Sequence, residues 1–207
     1  KKGYNETLRG VFRQLNEAGE LLHLRVGSLF RRPDREKEQK DRLVTFSSNG
    51  VTGLSVPSVL DIEINNVKHT FQWNLEALYL SRRFFLQGEY LNMNVQRAQA
   101  ACYRPWGAYI QGGFLIKGNF FNYDEWDALP LTPKESKSLL LSGRINVTNL
   151  NDGPVKGGMQ QDITVGLNYY MNKFLILKLN GSVVWTKDME EVKRSFGVLQ
   201  ARLQVRF

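Results

Sequence analysis

Apolar and polar residues alternate along nine segments of the chain. The segments cover residues 3–15, 21–32, 71–80, 84–92, 107–118, 139–149, 162–172, 174–186 and 199–207. A period of two is typical of a β-strand, because successive side chains point to opposite faces of the sheet. Each segment has about 9–13 residues, enough to cross a bilayer at a tilt, whereas most globular strands have about 5–6. The pattern therefore predicts long strands that span a membrane.

The last segment shows the two faces of such a strand. Its apolar face consists of Leu199, Ala201, Leu203, Val205 and Phe207. Its polar face carries Arg202 and Arg206. In a membrane barrel the apolar face meets lipid and the polar face lines the lumen. We therefore expect the two arginines to face the lumen.

The connections between the segments alternate in length. Short turns are predicted at residues 16–19, 81–83 and 172–173, and long polar loops at 32–70, 96–104, 149–161 and 187–194. Short turns on one side of the membrane and long loops on the other are typical of outer-membrane barrels. The connection 119–137 breaks this rule, because it is long and lies on the side of the short turns.

A soluble antiparallel sheet also alternates, with its apolar face on a core. Strand length, arginines on the polar faces and the aromatic last residue favour a membrane barrel instead. Inside a bilayer every backbone polar group must be paired within the protein, so the sheet must close. Five aromatic residues are expected near strand ends, at the level of the lipid headgroups: Trp73, Tyr79, Tyr90, Tyr169 and Trp185.

The charge of the chain points to anionic partners. It contains 28 Lys and Arg against 20 Asp and Glu, a formal net charge of +8, which favours nucleic acid, anionic lipid or small anions. The single cysteine, Cys102, excludes a disulfide within the chain and a cysteine-based metal cluster. No stretch approaches 18 consecutive apolar residues, so no transmembrane helix is predicted.

Basic residues dominate the predicted lumen side and are the candidate anion-binding residues. They are Arg9, Arg13, Arg25, Arg31, Lys117, Arg144, Lys178, Arg202 and Arg206. Three acidic residues share that side, namely Glu76, Glu89 and Asp162, so the excess is nine minus three, or six, positive charges. The planar guanidinium matches phosphate geometry, and rows of Arg or Lys are typical of anion pores. The alternative is that these side chains only solvate the wall or pair with the three acids.

Catalysis, metals and cofactors are not expected. His23 and His69 are far apart and lack the spacing of metal ligands. An outer-membrane barrel enzyme would need a Ser/His or Asp/His set near a strand end, which these two histidines do not provide. A soluble basic β-sheet protein that binds nucleic acid would place aromatic residues among the basic ones, to stack on bases. Here they lie mainly on the opposite face, so no nucleic-acid partner is expected.

Six blocks of the sequence carry a family resemblance: RGVFRQLNEAGELLHLRVGSLFRRP, LQGEYLNM, GAYIQGGFLIKG, RINVTNLND, GLNYYMNKFLILKLN and the terminal LQVRF. Together they resemble the carboxy-terminal half of the phosphate-selective porin O and P family. Their order and spacing carry the resemblance, which covers residues 3–207. In the family block, an arginine also stands at the position of Arg144, and Lys117 and Lys178 are further candidates.

The resemblance implies a 16-stranded antiparallel transmembrane β-barrel, a passive channel for phosphate or polyphosphate in the outer membrane of a Gram-negative bacterium. It implies a homotrimer, contact with outer-membrane lipid, and recognition of the strand ending at Phe207 by the barrel-assembly machinery. The terminal strand then runs towards the periplasm, and so does the first strand. Since bacterial barrels have even strand numbers, residues 1–207 are expected to be one barrel domain that lacks its amino-terminal strands.

Overall fold

The computed structural model describes residues 2–16, 20–34, 42–51, 59–119, 121–124, 129–133 and 135–206. Their regular structure consists of strands alone, which confirms the all-β fold class. Within these ranges no helix is long and apolar enough to span a membrane. The strands are β1 (Tyr4–Leu15), β2 (Leu21–Arg32), β3 (Val44–Ser48), β4 (Leu60–Ile64), β5 (Val67–Leu80), β6 (Phe84–Arg97), β7 (Trp106–Lys117), β8 (Phe121–Asp124), β9 (Leu129–Pro133), β10 (Ser138–Asp152), β11 (Val155–Tyr170), β12 (Leu175–Lys187) and β13 (Lys193–Val205).

Nine long strands form one antiparallel sheet, in agreement with the nine alternating segments. Their order is β1-β2-β5-β6-β7-β10-β11-β12-β13, so each strand pairs with the next long strand along the chain. Among the described residues β1 and β13 each pair on one side only, and the sheet is not closed. The described residues therefore form an open sheet with two unpaired edges.

The strands extend further than the alternation predicted, and the predicted loop at 149–161 is wrong. β10 continues to Asp152 and β11 starts at Val155, so only Gly153 and Pro154 connect them. Gly153 has φ +56°, a conformation that glycine adopts without steric cost. The pairing of β10 with β11 shifts register between Asn149 and Asn151, close to this turn. At the end of the chain, β13 begins at residue 193 rather than 199.

A hairpin of β3 and β4 lies in the predicted loop 32–70 and crosses one face of the sheet. Near its base it packs against a buried cluster that includes Val95 of β6 and Tyr103, in the connection between β6 and β7. Further along, the Ser48 hydroxyl donates a hydrogen bond to Gln160 of β11 at 2.7 Å, and Gln200 of β13 donates one to the carbonyl of Val51 at 3.4 Å. The hairpin is thus attached to both halves of the sheet, and we call the face that it covers the inner face.

A second hairpin, β8 and β9, explains the long connection at 119–137. It packs on the same inner face near the opposite strand ends. Phe121 and Tyr123 of β8 contact an apolar cluster formed by the inner-face residues Leu21, Leu80, Phe85, Leu115, Leu140 and Tyr170. This connection is long because it folds back over the sheet.

Candidate functional site

The outer face of the sheet is apolar and exposed. Leu8, Leu75, Leu199 and Leu203 are 75%, 50%, 80% and 62% exposed. Tyr79, Tyr169 and Trp185 lie near strand ends, as predicted for interfacial aromatics, but Trp73 and Tyr90 lie in mid-strand because β5 and β6 are longer than expected. Trp73, Tyr90 and Trp106 form a row of ring contacts on this face, with centroids 5.4 and 6.0 Å apart. Phe207 lies outside the described residues.

The inner face is polar in its middle and apolar at both ends, where the two hairpins are seated. In a β-ladder residues that lie opposite each other share a face. The register therefore places Arg9, Arg13, Arg25, Arg31, Arg144, Lys178 and Arg202 on the inner face. Lys117 stands apart, because a register shift between β7 and β10 sets it opposite Leu139, a residue of the outer face.

Arg25 is held by two carboxylates from the next two strands. Its Nε lies 3.0 Å from Oε2 of Glu76, and its Nη2 lies 3.4 Å from Oε1 of Glu89. The register brings them together, since Arg25 is opposite Glu76 and Glu76 is opposite Glu89. Side-chain amides support both acids from the side. Gln87 donates to Glu76 at 2.7 Å, and Asn74 donates to Glu89 at 2.7 Å.

The hydrogen-bonded network continues along the wall. Gln111 of β7 donates to Gln87 at 2.6 Å, which links β7 through Gln87 to Glu76 on β5. Further along the sheet, the buried Asp162 accepts hydrogen bonds from Asn146 and Gln160, both at 3.0 Å. The middle of the wall therefore carries amides and acids as well as cations.

Arg144 lies between these groups and stacks on an aromatic ring. Its guanidinium carbon is 4.0 Å from the ring centroid of Tyr109 on β7. A guanidinium over an aromatic face is held by a cation–π interaction, which leaves the edge of the fork available for hydrogen bonds. No carboxylate among the described residues pairs with Arg144, which can therefore present its donors to a solute.

Three cations cluster at the carboxy-terminal end of the sheet. Lys178 of β12 is directly opposite Arg202 of β13. Arg206 comes four residues after Arg202, so the period of two places it on the same side. Lys178 lies in the electrostatic field of both arginines. Within the described part of the chain no carboxylate forms an ion pair with any of the three. This is a concentrated positive site on the wall.

The remaining candidates belong to the first hairpin. Arg9 and Arg13 lie on β1, the edge strand, opposite Gly27 and His23. Arg31 is exposed near the end of β2, away from the centre of the wall. The four arginines of this hairpin are therefore spread along it, and Arg25 is the one that meets Glu76 and Glu89.

Sequence reasoning did not identify His23 and Tyr123 as partners. His23 is fully buried, and its Nδ1 lies 2.9 Å from the hydroxyl of Tyr123 on β8. Its Nε2 is buried without a hydrogen bond to any described residue. The available signal was a break in alternation, because paired apolar residues such as Leu21 with Leu22 and Phe84 with Phe85 stand where β8 is seated.

Comparison with known proteins agrees with the resemblance drawn from the sequence. The family model described as phosphate-selective porin O and P matches residues 1–207, the whole chain. A search of curated proteins found no match.

Proposed function

Because the chain belongs to the phosphate-selective porin O and P family, we propose that its inner face lines a channel through which phosphate or polyphosphate diffuses passively along arginine and lysine side chains. Membership supports a general function as an anion-conducting porin, and it implies an outer-membrane location. The wall residues that contact the anions are the candidates at the middle and carboxy-terminal end of the sheet.

The cluster of Lys178, Arg202 and Arg206 is the observation that carries this proposal. Like charges directly opposite each other in a sheet are destabilising. A fold that keeps such a pair on an inner face needs a negative partner, and the described residues supply none. A permeating anion relieves this repulsion. Arg144, held over Tyr109, offers the next group of donors along the wall.

The exposed outer face and the free edges support insertion into a membrane as a closed barrel. A soluble sheet would cover leucines such as Leu199, which is 80% exposed. The edge groups of β1 and β13 must find partners, because unpaired backbone groups are not tolerated in hydrocarbon. We infer that further strands close the barrel to sixteen, that the porin is a homotrimer in outer-membrane lipid, and that β13 is the strand presented to the barrel-assembly machinery.

The test is a charge-neutralising change in the cluster, made in the closed porin in planar bilayers. Lys178→Gln is expected to raise the phosphate concentration that half-blocks chloride current about tenfold, equivalent to about 1.4 kcal/mol. The physical reason is the loss of one unit charge within a few ångströms of the bound anion, where such a charge contributes about 1–4 kcal/mol.

The matched control is Lys193→Gln, which makes the same change of charge on the outer face of β13. It should leave the half-blocking concentration and the reversal potential in a salt gradient unchanged. Identical behaviour of the two variants would show that Lys178 does not face the conduction path.

A further inference from the structure

The carboxylates on Arg25 are unexpected on the wall of an anion channel. Arg25 contributes one positive charge, and Glu76 and Glu89 contribute two negative charges, so this group has a net charge of one minus two, or −1. An anion meets acids here instead of a free guanidinium. The arrangement contrasts with the cluster around Lys178, which has no carboxylate partner among the described residues.

The two acids are held in place by side-chain amides, which bond the other oxygen of Glu76 and the same oxygen of Glu89 that meets Arg25. The Glu76 side chain is only 2% exposed and accepts a hydrogen bond from Gln87, which in turn accepts one from Gln111. Glu89 is 19% exposed and accepts one from Asn74. Hydrogen bonds of this kind fix both carboxylates where they meet the guanidinium, and polar networks in which every member is satisfied are rigid.

We propose that Glu76 and Glu89 are specificity-determining residues that weaken anion binding at Arg25, an inference that rests on the proposed function. A phosphate that approaches Arg25 must compete with two carboxylates that already accept charge-assisted hydrogen bonds from the Arg25 guanidinium. Conduction requires each site to bind strongly enough for entry and weakly enough for exit. The acids keep Arg25 from becoming a trap, so the faster route for the anion runs along Arg144 and Lys178.

Glu89→Gln in the closed porin tests the inference. Glu89 is the more exposed acid, and glutamine keeps its shape and can still accept from Asn74. The glutamine oxygen is a neutral and weaker acceptor than the carboxylate, so an anion competes more easily for this side of the guanidinium. The phosphate concentration that half-blocks chloride current in planar bilayers is expected to fall about tenfold, and conductance in phosphate should saturate at a lower concentration.

Two comparisons separate release of Arg25 from a change in net charge. Asp162→Asn removes one negative charge in the same cross-strand row, but Asp162 is held by Asn146 and Gln160 and makes no ion pair with an arginine among the described residues. The phosphate concentration that half-blocks chloride current in Asp162→Asn is expected to differ from the wild-type value by less than threefold. The double variant Arg25→Gln/Glu89→Gln has the net charge of the wild type and no guanidinium, and should behave like the wild type.

Equal tightening in Glu89→Gln and Asp162→Asn would overturn the inference, because net charge alone would explain it. Tightening that persists in the double variant would overturn it as well, since Arg25 would not be the group released. If phosphate blocks the wild type and Glu89→Gln binds no tighter, the inference fails while the proposed function stands. A wild-type channel that phosphate does not block would remove the proposed function itself.

Discussion

Replacing Tyr103 by phenylalanine is expected to loosen the hairpin of β3 and β4 on the inner face. Tyr103 is 0% exposed and its ring packs edge-on against Phe46 of β3, with centroids 5.7 Å apart. Its hydroxyl donates a hydrogen bond of 2.8 Å to the carbonyl of Leu150 on β10. The substitution keeps the ring and removes only the hydroxyl, so the packing against Phe46 is preserved.

The magnitude follows from the burial of the hydrogen bond. In the Tyr103→Phe variant the Leu150 carbonyl has no hydroxyl donor while the hairpin is seated, whereas water can reach this carbonyl when the hairpin detaches. A buried polar group left without a partner costs about 1–3 kcal/mol. The detached population of the hairpin should therefore rise about 5- to 150-fold, at about 1.4 kcal/mol for each factor of ten.

Hydrogen exchange of the backbone amides measures this population, because local opening governs their protection. Exchange in Val44–Ser48 should accelerate by the same factor, while the long strands β10 and β11 keep their protection. Tyr4→Phe, on the exposed edge strand β1, is the control and should change nothing. If the β3 amides of Tyr103→Phe exchange at the wild-type rate, the hydrogen bond to Leu150 does not hold the hairpin.

Two further outcomes are expected. Burial raises the pKa of Tyr103 above its ordinary value of about 10, so the seated hairpin favours the neutral phenol. The stability of the seated hairpin should be full below pH 10 and should fall as the pH rises above 10. When exchange of the β3 amides is followed against pH, this loss of stability should be absent in Tyr103→Phe. Tyr123→Phe removes the partner of His23 Nδ1 and should speed amide exchange in Phe121–Asp124 at least fivefold. Tyr169→Phe on the outer face is the control. Equal exchange of these amides in both variants would contradict a role for the contact between His23 and Tyr123.

The long strands could be predicted because alternation is a local property. Each segment showed which residues share a face, and the inner positions of Arg144, Lys178 and Arg202 follow from that alone. The turn at Gly153 and Pro154 was mistaken for a long loop, since Asn, Gly and Pro are frequent in both. Two residues in a tight turn and thirteen in a loop differ in backbone pairing, which composition does not reveal.

The partners of Arg25 and His23 could not be predicted from the sequence. The register between β2 and β5 cannot be counted through a turn, because residues 33–66 separate the two strands, so the match of Arg25 with Glu76 depends on tertiary structure. The contact between His23 and Tyr123 joins residues 100 positions apart. The breaks in alternation at Leu21 and Phe85 indicated that something apolar covers these strand ends, without identifying β8.

The two-residue turn between β10 and β11 determines what the molecule presents at the membrane surface. At about 3.3 Å per residue, the 15 residues of β10 extend about 50 Å. Even at a tilt of about 45° the strand rises about 35 Å, more than the apolar band of about 25 Å. The end of this ribbon stands clear of the lipid, and β10 and β11 remain paired there up to Asp152 and Val155. An antibody raised against it would meet a rigid epitope, whose shape is fixed by the ladder of β10 and β11.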